Sequence, residues 1–224
     1  MRRRERLDVL ARERVGPYAL LRVDRGGIDP GLPGQFFMLE APPYDDNASR
    51  LLPRPMSLCR APEGELWFLV DEIGPGTRAI CAADALHVFG PLGRGFDLSV
   101  ERPLLVGGGI GIAPLPYVRE LLPYAPAILG FRDDSYAVAA ELLPGAEVVV
   151  EPTLVTELLD PSRDVLACGP EPMLEAVRSL APTAQLAWEA PMACGYGDCY
   201  GCAVEIDGEL KRLCVEGPVL RAAA

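Results

Sequence analysis

The chain is poor in one kind of metal ligand and one kind of cation: it has a single histidine, His87, and a single lysine, Lys211. One histidine leaves no pair to share a metal, and His87 reads as an ordinary half-buried strand residue. Arginine supplies the other basic residues, a compositional bias with no spatial pattern. Positive charge is also short. Lys and Arg number 21 against 32 Asp and Glu, a net charge of −11, so a phosphate backbone is an unfavourable partner and nucleic acid is not expected. Long apolar runs are missing too. The longest uncharged window, Pro103–Val118, has 16 residues and is broken by four Gly and three Pro, too short for a membrane span. The Arg-rich start, with six Arg against three acids in residues 1–14, is not followed by the apolar stretch of a signal peptide. A cytoplasmic location is the expectation. There, seven cysteines point to metal or redox chemistry more than to disulfides. Repeats and low-complexity tracts are absent.

What is present is a globular composition, 50% apolar and 24% charged over 224 residues, enough to bury a real core. Gly and Pro, 23 each, cut the chain into short elements. Up to residue 98 the apolar runs have strand lengths and turn boundaries: Tyr18–Val23, Gln35–Glu40, Met56–Cys59, Leu66–Asp71 and Ala85–Phe89. That rhythm predicts a small antiparallel barrel. From 99 to 189 strand-like and helix-like stretches alternate. Pro103–Val106, Ala127–Phe131, Glu147–Glu151, Asp164–Cys168 and Gln185–Glu189 read as strands, and Pro114–Leu122, Ser135–Leu143, Leu154–Leu159 and Glu171–Leu180 as helices. This predicts a parallel sheet built from βαβ units. Residues 190–224 form a third zone, dense in Cys and Gly. The expected fold class is therefore a β barrel plus an α/β domain, with a cysteine-rich tail.

The tail carries the sharpest motif. Cys194, Cys199 and Cys202 stand at C-x4-C-x2-C spacing and Cys214 follows, the plant-type spacing of a [2Fe–2S] cluster. Gly195, Gly197 and Gly201 let the loop wrap a cluster and aim backbone N–H groups at its sulfurs. Ala203–Ile206, Asp207-Gly208 and Leu210–Cys214 read as a hairpin that returns Cys214 to the loop. A structural zinc site usually pairs its ligands as two short knuckles, so the lone fourth cysteine favours the cluster. A Rieske centre would need two histidines. Cys59 and Cys81 read as core residues.

Two further loops lie where strands become helices. In Val106–Pro114 the glycines would let a pyrophosphate approach backbone N–H groups, although the run lacks the G-x-G-x-x-G register. Cys168-Gly169-Pro170 has the same placement, and ligands of open α/β sheets bind beyond such strand ends. Together the loops predict a dinucleotide site. Arg132-Asp133-Asp134 brings two acids near an adenosine ribose, which favours NAD(H) over NADP(H). Arg54-Pro55-Met56-Ser57 and Gly74-Pro75-Gly76-Thr77 read by themselves as a surface turn and an ordinary helix start with Thr77 as the cap; the alternative is that they hold a flavin pyrophosphate.

In their order, these motifs, with Met192-Ala193-Cys194-Gly195, closely resemble the electron-transfer subunit of class 1B dihydroorotate dehydrogenase, within the ferredoxin–NADP reductase superfamily. The likeness runs from Pro33-Gly34-Gln35-Phe36 to Gly217-Pro218. It departs at Pro191, where the family is expected to carry Arg. The resemblance implies FAD contacts at Arg54, Pro55, Met56, Ser57, Leu69, Val70, Asp71, Gly76 and Thr77. It implies nicotinamide nucleotide contacts at Gly107, Gly108, Gly109, Gly111, Cys168, Gly169 and Pro170, and cluster ligation by Cys194, Cys199, Cys202 and Cys214. The barrel (1–98) would hold FAD, residues 99–189 NAD, and residues 190–224 the cluster. The implied partner is an FMN-containing catalytic subunit, two of each in a heterotetramer. Electrons would run from dihydroorotate through FMN, cluster and FAD to NAD⁺, with no acid–base side chain required of this chain. The same superfamily supplies an alternative, a subunit of an NADH-dependent ferredoxin:NADP⁺ oxidoreductase or a sulfide dehydrogenase. Those relatives often replace one thiolate with Asp, which keeps Asp198 of interest. A zinc-binding interaction module is the reading from outside the enzymes.

Overall fold

A computed structural model describes residues 3–42, 52–206 and 208–223. Six strands close a barrel: β1 (Arg3–Val15), β2 (Tyr18–Asp24), β3 (Phe36–Glu40), β4 (Arg54–Arg60), β5 (Glu65–Val70) and β6 (Ala85–Leu92), in the order β1-β2-β5-β4-β3-β6. Alternation fills it. Along β6, Leu86, Val88 and Leu92 are buried while His87 and Phe89 are half-buried. Phe37 and Phe68 meet edge-to-face in the middle. The 13-residue β1 is absent from the sequence expectation, because its arginines mask the strand pattern. Inward it offers Leu7 and Val15. Outward, Arg4 reaches Glu40, Arg14 reaches Glu72, and Arg12 donates to the carbonyls of Cys81 and Ala83. It pairs with both β2 and β6, with a bulge between Val9 and Ala11, so this charged strand is what closes the barrel.

The helix α1 (Pro75–Ala82) caps one end of the barrel. Gly74, not Thr77, is its N-cap, and Thr77 sits at the third position, where its hydroxyl accepts from the Gly74 N–H. Thr77 is thus the reciprocal half of a capping box rather than the cap itself.

The second layer is a six-stranded sheet. Strands β7 (Pro103–Gly108), β8 (Ala127–Phe131), β9 (Glu147–Val150), β10 (Asp164–Cys168) and β11 (Gln185–Ala187) run parallel. Helices α2 (Leu115–Leu121), α3 (Asp134–Ala137) and α4 (Glu171–Leu180) join them. Two helical expectations shrink. The stretch 135–143 is one turn of α3 followed by 3-10 turns, and 154–159 holds only a 3-10 turn at Val155–Glu157. In the first case Asp133 caps a helix that turns inward to bury Ala139 and Leu142. In the second, Pro161 ends the run before a second turn can form.

The tail folds onto both layers. After a loop, β12 (Ala203–Ile206) and β13 (Glu209–Arg212) form a hairpin with Ile206 opposite Glu209. Gly208 takes φ +75° there, and Asp207 lies outside the described residues. The last strand, β14 (Val219–Arg221), adds antiparallel to β11. The chain between barrel and sheet is tied in the same place. Buried Gln185 accepts from the Asp97 N–H at 2.7 Å and donates to the Asp97 carbonyl at 2.8 Å. Among the described residues no helix is long and apolar enough to cross a membrane.

Candidate functional site

At the carboxyl ends of the parallel strands lies a cavity of about 550 Å³, mostly apolar, the size of a small-molecule site. Of the residues expected to serve a nucleotide, Gly108, Gly109 and Pro170 line it. Gly107, Gly111, Cys168 and Gly169 stand behind it, and their role is different. A Cβ on Gly111 would lie 2.5 Å from the Cys168 carbonyl and the Gly169 backbone, and one on Gly108 would lie 2.5 Å from Met173 Sδ. The glycines let the two strand-end loops touch, and that contact shapes the cavity floor. Cys168 is buried and its thiol is pushed well above its ordinary value, chiefly by desolvation. It is a packing residue in the protonated form.

Apart from Arg132, which the sequence places in the segment near the ribose, the far wall contains residues that sequence reasoning did not assign to this site. Arg132 lies 3.9 Å over the Tyr136 ring, and both line the cavity with Glu151, Thr153 and Met173. Tyr18 and Asp71 come from the barrel. Asp71 was expected to touch the flavin. Asp133 and Asp134, the acids expected at the ribose, do not line the cavity. Asp133 instead accepts from Ser135 N, Ser135 Oγ and Tyr136 N at the start of α3, and those Ser135 bonds hold its carboxyl below the usual carboxylate range.

On the barrel, the two motifs expected at a flavin meet in space. A Cβ on Gly76 would lie 2.6 Å from the Arg54 guanidinium, so Arg54 lies flat against the Gly76-Thr77 turn. Arg54 Nη1 bonds the carbonyls of Leu52 and Pro53. Pro55, Met56 and Ser57 are half-buried on β4. Leu69 and Val70 point into the core, at 2% and 0% exposure, so only their backbone can face a ligand.

The cysteine loop presses on this same edge. A Cβ on Gly195 would lie 2.7 Å from Met38 Cγ, and Tyr196 meets Phe89 edge-on. Met38 stands opposite Pro55, and Phe36 opposite Ser57, in the β3–β4 ladder, a separation of about 5 Å. Positive φ at Gly195, Gly197 and Tyr200 coils the loop. Its sulfurs fall into two pairs. Cys202 Sγ lies 3.1 Å from Cys214 Sγ, both buried, and Cys194 shares a hydrogen bond with Cys199. Cys194 is lowered to about 6 against its burial, by N–H groups of Tyr196, Cys199 and Asp198 and by the Cys199 thiol. Burial and the Cys202 thiol push Cys214 up to about 12. Gly201 N–H points at Cys199 Sγ from 3.4 Å. Two sulfur pairs ringed by backbone donors suit a core with two irons. Among the described residues no three His, Cys, Asp or Glu side chains close around a single-ion position.

A closed antiparallel barrel, a parallel sheet with a cavity at its strand ends, and a four-cysteine loop docked on the barrel define an electron-transfer protein of the flavin reductase type. The comparisons narrow this. Residues 189–224 match the family model described as the iron-sulfur cluster binding domain of dihydroorotate dehydrogenase B. The electron transfer subunit of dihydroorotate dehydrogenase B (NAD(+)) from Caldanaerobacter subterraneus subsp. tengcongensis is 34% identical over 217 residues, 85% of each chain. Its counterpart from Streptococcus mutans serotype c is 32% identical, over 96% of this chain and 95% of its own. Among solved structures, the NADH-dependent reduced ferredoxin-NADP oxidoreductase studied for flavin-based electron bifurcation superposes with TM-score 0.79 at 22% identity, over 96% of this chain and 88% of its own; it shares the fold. The chain belongs to the family of electron transfer subunits of dihydroorotate dehydrogenase B.

Proposed function

We propose that this chain passes electrons between a dihydroorotate-oxidising catalytic subunit and NAD⁺, with residues 1–98 holding FAD, 99–189 the nicotinamide nucleotide and 190–224 a [2Fe–2S] cluster. The observation that carries the reading is the docking of the Cys194–Cys202 loop on Met38 and Phe89, one strand away from Arg54–Ser57. Arg54, with Ser57 and the Gly76-Thr77 backbone, would bind the flavin pyrophosphate as a charge-assisted donor set. Gly108, Gly109 and Pro170 would seat the dinucleotide. Cys194 with Cys199, and Cys202 with Cys214, would each hold one iron. Asp198 supports this four-thiolate set over the Asp-ligated alternative, since it gives its backbone N–H to Cys194 while its side chain is exposed.

Bound FAD supplies the one chemistry the chain cannot, exchanging a hydride with NAD and single electrons with a cluster. The chain's own work is placement. Buried Cys202 and Cys214 would keep water from one side of the cluster, while Cys199, Tyr196 and Tyr200 are exposed and would form the rim a partner faces. Dihydroorotate gives up two electrons and two protons to become orotate, and NAD⁺ takes two electrons and one proton. The partner is read as an FMN subunit in a two-plus-two assembly. Seven free thiols suit a reducing cytoplasm.

The test is an anaerobic absorption spectrum of the chain captured from its own host with whatever binds it, before and after dihydroorotate. Flavin and cluster bands that bleach are expected. Bands that bleach only with NADH would remove dihydroorotate as the donor, and a colourless sample with stoichiometric zinc would overturn the reading.

A further inference from the structure

The barrel hairpin that joins β1 to β2 does not stay with the barrel. Gly16, at φ +58°, sits so close to α3 that a Cβ there would lie 2.5 Å from the Ser135 carbonyl. The turn is thereby fixed against the nucleotide sheet, and the next residue but one, Tyr18, enters the cavity. Its ring packs edge-on to Tyr136, with centroids 5.5 Å apart. The residue is 1% exposed, and among the described residues its hydroxyl has no hydrogen-bond partner. The hydroxyl is not sealed from the cavity space, so it is free to donate its proton to a ligand that enters. The oxygen faces the glycine loop, 3.8 Å from where a Gly109 Cβ would stand. Asp71, at the end of β5, lines the same wall.

We propose that Tyr18 is a dinucleotide-binding residue supplied by the barrel: its hydroxyl donates a hydrogen bond to the bound dinucleotide where the diphosphate–ribose stretch crosses the glycine loop, and Asp71 beside it accepts from a ribose hydroxyl. The roles follow from chemistry. An ionised carboxylate only accepts and repels phosphate, so it suits a ribose diol. A phenol can give its proton to either a phosphate or a ribose oxygen. Burial first, and Asp71 second, raise the Tyr18 pKa, so the hydroxyl keeps its proton at physiological pH. Asp133 is engaged elsewhere: its Oδ1 accepts from Ser135 and Tyr136, its Oδ2 lies 3.5 Å from Arg132 Nε, and it does not line the cavity.

The inference rests on the reading of the cavity as a nicotinamide dinucleotide site, and one experiment separates the two. The FAD-loaded full chain, as wild type and as Tyr18→Phe, is titrated with NADH and with ADP-ribose, and the flavin content and melting temperature of each are recorded. The loss of one neutral hydrogen bond should weaken both ligands about five- to tenfold, with flavin content and melting unchanged. Asp71→Asn, which keeps shape, should weaken them about threefold to tenfold. If wild type binds neither ligand, the dinucleotide reading and this inference fall together. If wild type binds both and Tyr18→Phe binds them equally well, this inference alone falls. Lost flavin with unchanged NADH affinity would also overturn it, by assigning Tyr18 to the flavin.

Discussion

The cysteine loop and the strand-end cavity are built in opposite ways. The loop takes all its sulfurs from residues 194 to 214 and shapes itself by backbone conformation, with positive φ at Gly195, Gly197 and Tyr200. The cavity takes its walls from β2, the end of β5, four strand-end loops, α3 and α4, and it is shaped by how closely those segments approach. A local site fails when a ligand atom is lost. A distributed site fails when a contact behind it is spoiled. They share one support, the apolar cluster that joins Phe36, Met38 and Leu92 of the barrel to Trp188, Met192, Cys202 and Cys214.

The largest effect should come from the local site. Cys202→Ser or Cys214→Ser should remove most of the bound iron and the visible cluster absorption, while NADH still binds; iron assay and NADH titration on one sample check both. Loss of NADH affinity in the same variant would show that the two sites are not separable. Gly111→Ala should do the reverse. Its new methyl meets backbone at 2.5 Å, so unfolding in urea should register a loss of about 2–3 kcal/mol, with NADH weakened at least tenfold and iron unchanged.

The joint between the regions is the next target. Gln185→Leu leaves the Asp97 N–H and carbonyl without partners and should cost about 2 kcal/mol, read as a lower denaturant midpoint. Gly195→Ala at φ +78° should cost about 1–2 kcal/mol. Iron should remain, with NADH reducing the cluster more slowly in stopped flow because the loop is pushed off Met38. An unchanged rate would show that the Met38 contact does not set the electron path.

The smallest effect is electrostatic. Asp97, Asp133 and Asp160 are held below the usual carboxylate range by hydrogen bonds, from Ser99, Ser135 and Ser162 respectively. A depressed folded pKa adds stability above the unfolded value near 4, and that contribution is lost as pH falls through the folded value. Melting temperature should therefore drop below about pH 4, and Asp133→Asn should flatten the drop slightly without touching iron content.

Much was legible in the sequence where function is local. The cysteine spacing, the glycine run and the strand-length segments between turns each carry their meaning within about ten residues. What escaped was set by partners far along the chain. The strand β1 reads as a basic stretch until its arginines find Glu40, Glu72 and the carbonyls after α1. Asp133 reads as a ribose ligand until it is found capping α3. Tyr18 reads as the first residue of a barrel strand, and nothing near it in the sequence shows that Gly16 will rest on Ser135.

By itself, then, the sequence determined the order of barrel, sheet and tail, and the four sulfurs of the loop, because strand periodicity, turn residues and ligand spacing are short-range properties of a chain. Only the tertiary structure decided that β14 returns to the sheet, that the loop rests beside Arg54–Ser57, and that a barrel tyrosine lines the strand-end cavity. Those are contacts between residues far apart along the chain, made where burying the shared apolar surface around Met38, Trp188 and Cys202 outweighs the entropy of bringing them together.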